Sequence, residues 1–457
     1  MVCGRARLKD LRLMMLRHLG LTKERAPCSR GFDKNFSFLA GAGNHYNHEP
    51  QLDATAPQLP AVNGEGYWME GDKFLDRKTE MNPDFYSTRS FTDRMLKYLE
   101  DRTEVERDQP FFAYLAYTAP HWPLQAPRED IKKHAGVYDE GPEALRFRRL
   151  EALKARCLVP EDVKAAPMVG KMPKEWSEMD TAEKSHSARR METYAAMVDL
   201  LDQNIARVIN HLEESGELDN TFVLFMSDNG AEGRLLEALP VMQESPFVVI
   251  QKFYDNSIEN IGNFDSFVWY GPRWAAAATA PSRGFKSFTT EGGIRCPCII
   301  RFPPFARSKG TITHEFCTVM DILPTILELA GTKHPGTTFR GRQVVLPRGS
   351  SWVQYLSNPK DDAVIHAEGS EGDIVGWELF GRRAIRRGNW KAIYIPAPVG
   401  SDEWELYDLS NDLGETEDMA KVRPEKLKEL LLEYERYSEE TGLYDPGIMG
   451  KLKAPVS

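Results

Sequence analysis

At 457 residues the chain exceeds what one compact core holds and fits a large domain plus a smaller one. Its 41% hydrophobic and 28% charged residues are those of an ordinary globular protein, and no stretch approaches the roughly 18 consecutive apolar residues of a membrane-spanning helix. A net charge of −10 excludes a general nucleic-acid surface, which must be basic to displace counterions from phosphates.

The first twenty residues are basic, and Arg12 and Arg17 interrupt their leucines and methionines, so no secretory signal is expected there. The six cysteines, at positions 3, 28, 157, 296, 298 and 317, form no disulfide framework and point to reduced thiols in a cytoplasmic protein. Cys296-Pro297-Cys298 has one intervening residue, which is poor spacing for a redox or zinc pair, so both thiols are expected to be apolar strand residues. Arg25 to Tyr46, rich in glycine and aromatics, is expected to form loops and short strands. In Asn82 to Asp101, Phe91, Met95 and Leu99 recur every four residues and predict an amphipathic helix. It leads into Pro110 to Tyr117, an apolar run predicted as a strand, and then into the loop Thr118-Ala119-Pro120-His121-Trp122-Pro123. His121 thus leaves a carboxyl strand end, where binding residues gather in open α/β sheets; beside tryptophan and proline it is equally a packed ring.

Glu143 to Arg190 is charged, mostly helical, and expected as an insertion covering one face. Tyr194, Met197, Val198, Leu201, Ile205, Val208, Ile209 and Leu212 then lie on one stripe, predicting a helix that stops at Gly216. Thr221 to Gly230 is an apolar run ending on Ser227, Asp228 and Asn229. It predicts a strand buried on both faces, as in a parallel sheet, and with the preceding helix it makes half a βαβ unit. Asp228 and Asn229 either offer two side-chain oxygens to a hard cation such as calcium or merely form a turn with Gly230. Val268 to Trp274 suits a substrate wall or a packed loop. Ser282-Arg283-Gly284-Phe285-Lys286, just before Glu291-Gly292-Gly293-Ile294-Arg295, suits an oxyanion or is a solvated loop. Cys296 to Phe302 predicts another buried strand, and Cys317 to Gly331 a helix. Polarity rises beyond Pro335, which places a boundary near residue 350 and gives domains 1–350 and 351–457. The second is expected as a small α+β unit. Arg383 to Arg387 and Trp390 to Tyr394 form a hairpin about Gly388-Asn389, Glu405 to Leu409 adds a strand, and Pro424 opens a final helix.

In order and spacing, Asp228-Asn229-Gly230, Ala119-Pro120-His121-Trp122-Pro123, Lys286 and Glu291-Gly292-Gly293-Ile294-Arg295 resemble a sulfatase of the alkaline-phosphatase-like superfamily. The bacterial and fungal arylsulfatase branch is nearest. The resemblance runs from about His18 to the C terminus, through Gly376-Trp377-Glu378-Leu379-Phe380-Gly381, Gly388-Asn389-Trp390-Lys391 and Trp404-Glu405-Leu406-Tyr407-Asp408-Leu409. It implies an α/β fold, with a large mixed-sheet domain flanked by helices and a small C-terminal α+β domain. It also implies a calcium ion and the hydrolysis of small sulfate-ester substrates, with no nucleic acid or membrane partner. By the same resemblance Asp228 and Asn229 are calcium ligands, His121 is the general acid that protonates the leaving oxygen, and Lys286 offsets charge on the sulfate oxygens. His18, in His18-Leu19-Gly20, aligns with a histidine that helps expel sulfate from the covalent intermediate.

The sequence departs from this pattern at the nucleophile. The family makes a formylglycine from the first residue of a Cys/Ser-x-Pro-x-Arg motif, which this sequence lacks. Thr279-Ala280-Pro281-Ser282-Arg283 has the spacing but begins with threonine, and is rejected. The paired aspartates that complete the family's calcium shell are also absent, and Leu16 stands where a lysine is expected. The expectation is a sulfatase lacking its N-terminal part, with an incomplete calcium site, exposed apolar surface in its large domain and no normal turnover. The alternative is a pseudoenzyme that binds sulfated ligands. A phosphatase of the same superfamily would need a further Asp/His cluster, and His45, His48, His314, His334 and His366 form none by spacing.

Overall fold

Capping and periodicity place the helices largely where the sequence puts them. The computed structural model describes residues 23–39, 43–50, 68–169, 174–233, 246–307, 310–358, 363–367 and 369–443, so the His18 expectation lies outside the described residues. The amphipathic helix spans Ser87–Glu100 and buries Phe91, Met95 and Leu99. These side chains pack with Phe36, Phe38 and Trp68 of a three-stranded antiparallel sheet made of β1 (Phe36–Phe38), β2 (Trp68–Glu70) and β3 (Lys73–Leu75). The long helix begins earlier than its apolar stripe predicts and runs Thr181–Glu214. Asp180 accepts from the Glu183 amide while Glu183 reaches back to the Asp180 amide, a capping box that starts the helix in a charged stretch. Ala188, Met191, Ala196, Met197 and Leu200 of this helix sit in the main core with Leu124, Ile131, Tyr270 and Trp274. Each of the Met, Leu and Ile side chains among them, fully buried, contributes about 1.5–3 kcal/mol. Val268, Tyr270 and Trp274 are buried here, and the stretch ends in the first turn of the helix Pro272–Ala278.

The central strands differ from expectation. β4 (Val223–Met226) pairs with β5 (Cys298–Arg301) in antiparallel fashion, with Phe225 opposite Ile299 and Leu224 opposite Ile300. Among the described residues this sheet has two strands, and Pro110–Tyr117 carries no ladder. Without a paired neighbour that segment is held by its rings and aliphatic side chains. Phe111, Leu115 and Tyr117 lie against the Phe36/Phe91 core, and Phe112 against Phe222 and Phe302. β4 is therefore not buried on both faces. Leu224 and Ile300 pack inward, while Phe225 and Ile299 on the other face are 37% and 62% exposed. Cys298 is exposed as well, contrary to its expected place as a buried strand residue. No helix among the described residues is long and apolar enough to cross a membrane.

The two-residue strands β6 (Thr338–Phe339) and β7 (Arg342–Gln343) form a small ribbon. The C-terminal sheet follows, with β8 (Ile374–Leu379), β9 (Arg382–Arg387), β10 (Trp390–Tyr394) and β11 (Trp404–Asp408) in antiparallel order β11-β10-β9-β8. Gly388-Asn389 makes the expected two-residue turn, with Gly388 at φ 56°. The strict period of two sends Ile385, Ala392 and Leu406 to one face, beneath Leu430 and Tyr434 of the helix Pro424–Thr441. Ala384, Ile393 and Tyr407 on the opposite face join the main core that holds Met197 and Trp274.

Lys391 lies on that inner face and is 0% exposed. Its Nζ lies 2.8 Å from Glu291 Oε1 and 2.9 Å from Glu415 Oε1, and Glu415 Oε2 accepts the Glu291 amide at 2.9 Å. Removing one member of a buried charge group leaves the others unpaired at low dielectric. Lys391→Ala is therefore expected to cost about 3–5 kcal/mol, whereas Glu429→Ala, which breaks a partly exposed pair with Arg387, should cost less than about 1 kcal/mol. Chemical denaturation of the two variants checks the difference.

Candidate functional site

Three loops converge beyond the end of β4. The first is Thr118–Ala126. It is tied down by the Leu124 amide to Val268 O at 2.9 Å and the Ala126 amide to Gly262 O at 3.0 Å. The fully buried Gln125 donates its Nε2 toward the carbonyls of Asn263, Phe264 and Ser266 and accepts the His45 amide at Oε1. The second loop, Ser227–Gly233, and the third, Arg283–Ile294, are zipped together. Gly230 donates its amide to Gly293 O at 3.0 Å, and Lys286 donates its amide to Ala231 O at 2.9 Å. A Cβ on Gly230 would stand 1.9 Å from Gly292 O, and one on Gly293 would stand 2.1 Å from Phe288 O. The close backbone approach thus demands glycine at both positions.

This clamp brings His121 and Lys286 together. Lys286 Nζ lies 2.9 Å from Glu232 Oε2, and His121 Nε2 lies 3.7 Å from the same oxygen. His121 Nδ1 is 2.8 Å from Trp122 O, and since a carbonyl can only accept, the Nδ1–H donates. Nε2 is then the nitrogen left facing the site. Burial and the Lys286 charge lower the His121 pKa, opposed by the Trp122 carbonyl, Glu232 and Asp228. The ring is held toward its neutral form, and an anion placed beside it draws a proton onto Nε2.

Asp228 acts electrostatically on His121, Tyr114 and Cys296, so its carboxylate borders the same space. Asp228 and Asn229 can offer two side-chain oxygens. Among the described residues no group of three or more His, Cys, Asp or Glu side chains gathers as a metal site. This donor set does not fit a calcium ion, which takes about six to eight oxygens. Thr279, at the start of the near-miss motif, directs its hydroxyl to Gly284 O at 2.8 Å and Ala276 O at 3.2 Å. Arg283 of that motif is bound to Glu405 and the Tyr407 hydroxyl.

Two residues of the site escaped the sequence reading. Glu232 carries no motif signal beyond following Gly230 by two. His45 is buried under the His121 loop, with Nε2 2.9 Å from His121 O and Nδ1 2.8 Å from Ser87 Oγ. Burial lowers its pKa to about 4, against the His121 carbonyl, which raises it.

The sequence matches the sulfatase family model over residues 15–332. It belongs to the sulfatase family. It is 53% identical to an uncharacterized sulfatase of Schizosaccharomyces pombe over 428 residues, covering 93% of this chain and 74% of that one. It is 32% identical to the arylsulfatase of Klebsiella aerogenes over 318 residues, 69% of this chain and 63% of that one. Among solved structures, Ps i-CgsB in complex with a neocarrahexaose aligns at TM-score 0.58 and 22% identity, over 94% of this chain and 71% of that one. A protein solved with its substrate D-glucosamine-2-N,6-O-disulfate aligns at 0.54 and 18%, over 96% and 81%. The described residues of this sulfatase-family chain thus share the family's α/β fold.

His45 yields a pH prediction. Its folded pKa of about 4 lies below the ordinary 6.5, so between these values the unfolded chain binds the proton and the folded one does not. Stability is expected to fall as pH drops from about 6.5 to about 4, by roughly 3 kcal/mol for this group. Thermal melts across that range should show the loss, and His45→Gln should flatten it.

Proposed function

We propose that the site binds the sulfate group of a small sulfate monoester and that these 457 residues hold the ester without turning it over. The observation that carries the reading is the convergence of Lys286 Nζ and His121 Nε2 on a single anionic oxygen, that of Glu232, beside the carboxylate of Asp228. A sulfate oxygen entering beside that carboxylate would accept from Lys286, and its charge would raise the proton affinity of His121. Protonated at Nε2, with Nδ1–H fixed on Trp122 O, His121 presents a proton to the bridging ester oxygen. Lys286 offsets the negative charge of the non-bridging oxygens. The family relatives named sulfatase and arylsulfatase support this substrate class. Asp228 and Asn229 alone offer too few oxygens to hold a calcium ion, and no step here passes through a metal.

Turnover by the family route needs the formylglycine precursor, which the sequence lacks. Thr279, the nearest match, has its hydroxyl committed to backbone carbonyls. The chain is therefore expected to bind 4-nitrophenyl sulfate in calorimetry, and Lys286→Ala to weaken that binding by about tenfold or more, the loss of one charge-assisted contact. Release of 4-nitrophenol by the purified chain should not exceed that of a His121→Ala control, and multiple turnovers above the control would overturn the non-catalytic part of the reading. Calcium alone is expected to bind with a dissociation constant weaker than about 1 mM, as for a site of few ligands.

A further inference from the structure

Glu232 adds to the His121–Lys286 seat a charge that ester hydrolysis does not call for. Its Oε2 touches Lys286 Nζ at 2.9 Å and faces His121 Nε2 at 3.7 Å, and its side chain is 14% exposed. The residue is held in place by its own backbone. Its main chain hydrogen-bonds the buried Tyr270 hydroxyl, and the carbonyl of the preceding Ala231 accepts the Lys286 amide. Carboxylate and ammonium thus ride on the two arms of one clamp. His121 is held toward its neutral form, so the resting charges of the seat are Lys286 and Glu232, with Asp228 a second negative charge close by.

A fixed negative charge at the rim of an anion seat penalises each negative charge of the ligand, so it discriminates by ligand charge. A sulfate monoester is a monoanion at neutral pH. A phosphate monoester of the same shape approaches two charges above its second ionisation, near pH ~6. Resting on the sulfate-ester reading above, we propose that Glu232 is the specificity-determining residue of this site. Its carboxylate admits monoanionic sulfate monoesters and rejects dianionic phosphate monoesters. For a separation of roughly 5–7 Å and an effective dielectric of about 20, the second charge corresponds to at least a tenfold difference in affinity.

The test is calorimetric binding of 4-nitrophenyl sulfate and 4-nitrophenyl phosphate at pH 8 to the full chain and to its Glu232→Gln and Glu232→Asp variants. The ratio of sulfate-ester to phosphate-ester affinity is expected to fall by about tenfold or more in Glu232→Gln, which removes the charge, and to be kept in Glu232→Asp. An unchanged ratio in Glu232→Gln overturns the proposal while leaving the sulfate-ester reading intact. Binding of neither ester to the wild-type chain removes that reading and the proposal with it. Should Glu232→Gln fail to fold, the wild-type chain decides. Its affinity for the phosphate ester, divided by that for the sulfate ester, must fall between pH 5 and pH 8 as the phosphate loses its second proton. A flat ratio overturns the proposal. His121, Lys286 and Asp228 face both ligands, and the sulfate ester serves as the reference for their own titration.

Discussion

The arrangement of the site depends on a lysine buried between two glutamates. Lys391 stands fully buried on the inner face of the C-terminal sheet beside Ile393 and opposite Tyr407, and an uncompensated ammonium there would be strongly destabilised. Glu291 and Glu415 compensate it. Burial pushes the Glu291 carboxyl up, but Lys391, with help from Arg386 and Arg295, holds it below its ordinary range. Glu415 is pushed up to about 7 by burial and by the Glu291 charge, against the pull of Lys391. Glu291 begins the helical turn Glu291–Ile294, and Gly293 in that turn receives the amide of Gly230. The C-terminal sheet thereby fixes the loop that carries Asp228, while Arg283, bound to Glu405 and Tyr407 of β11, fixes the loop that carries Lys286.

The electrostatics of the site follow from this framework. The loops meet through main-chain hydrogen bonds, Gly230 to Gly293 where a Cβ would collide and Lys286 to Ala231, so the segments carrying Lys286, Glu232 and Asp228 are set by backbone. His45 and Gln125 do the same for the His121 loop, and His45 stays neutral because it is buried and already hydrogen-bonded through both ring nitrogens. With His121 held toward its neutral form, Lys286 and Glu232 offset each other and the Asp228 carboxylate adds a further negative charge nearby.

β4 shows a different balance. Its inner face is packed by Leu224 with Ile300, Phe222 and Phe302, yet Phe225 and Ile299 face outward. An apolar run is what the sequence supplies for a strand covered on both sides. Among the described residues one side is covered and the sheet has two strands.

The sequence by itself determined the elements whose signals are local. The helix stripe of Tyr194 to Leu212, the Gly388-Asn389 hairpin, the closing helix at Pro424 and the family motifs all lie within a few residues, so periodicity and turn chemistry were enough. His121, Lys286, Asp228 and Asn229 could be picked out as candidates for the same reason. The tertiary structure alone decided which strands pair, because ladder formation depends on neighbours distant in sequence. For that reason Pro110–Tyr117 looked like a strand and β4 looked doubly buried. It also decided the partners of Glu232, His45, Lys391 and Glu415. A glutamate, histidine or lysine has no local pattern that tells a buried partner from a solvated side chain, and burial and charge pairing arise only when loops far apart in the chain are brought together.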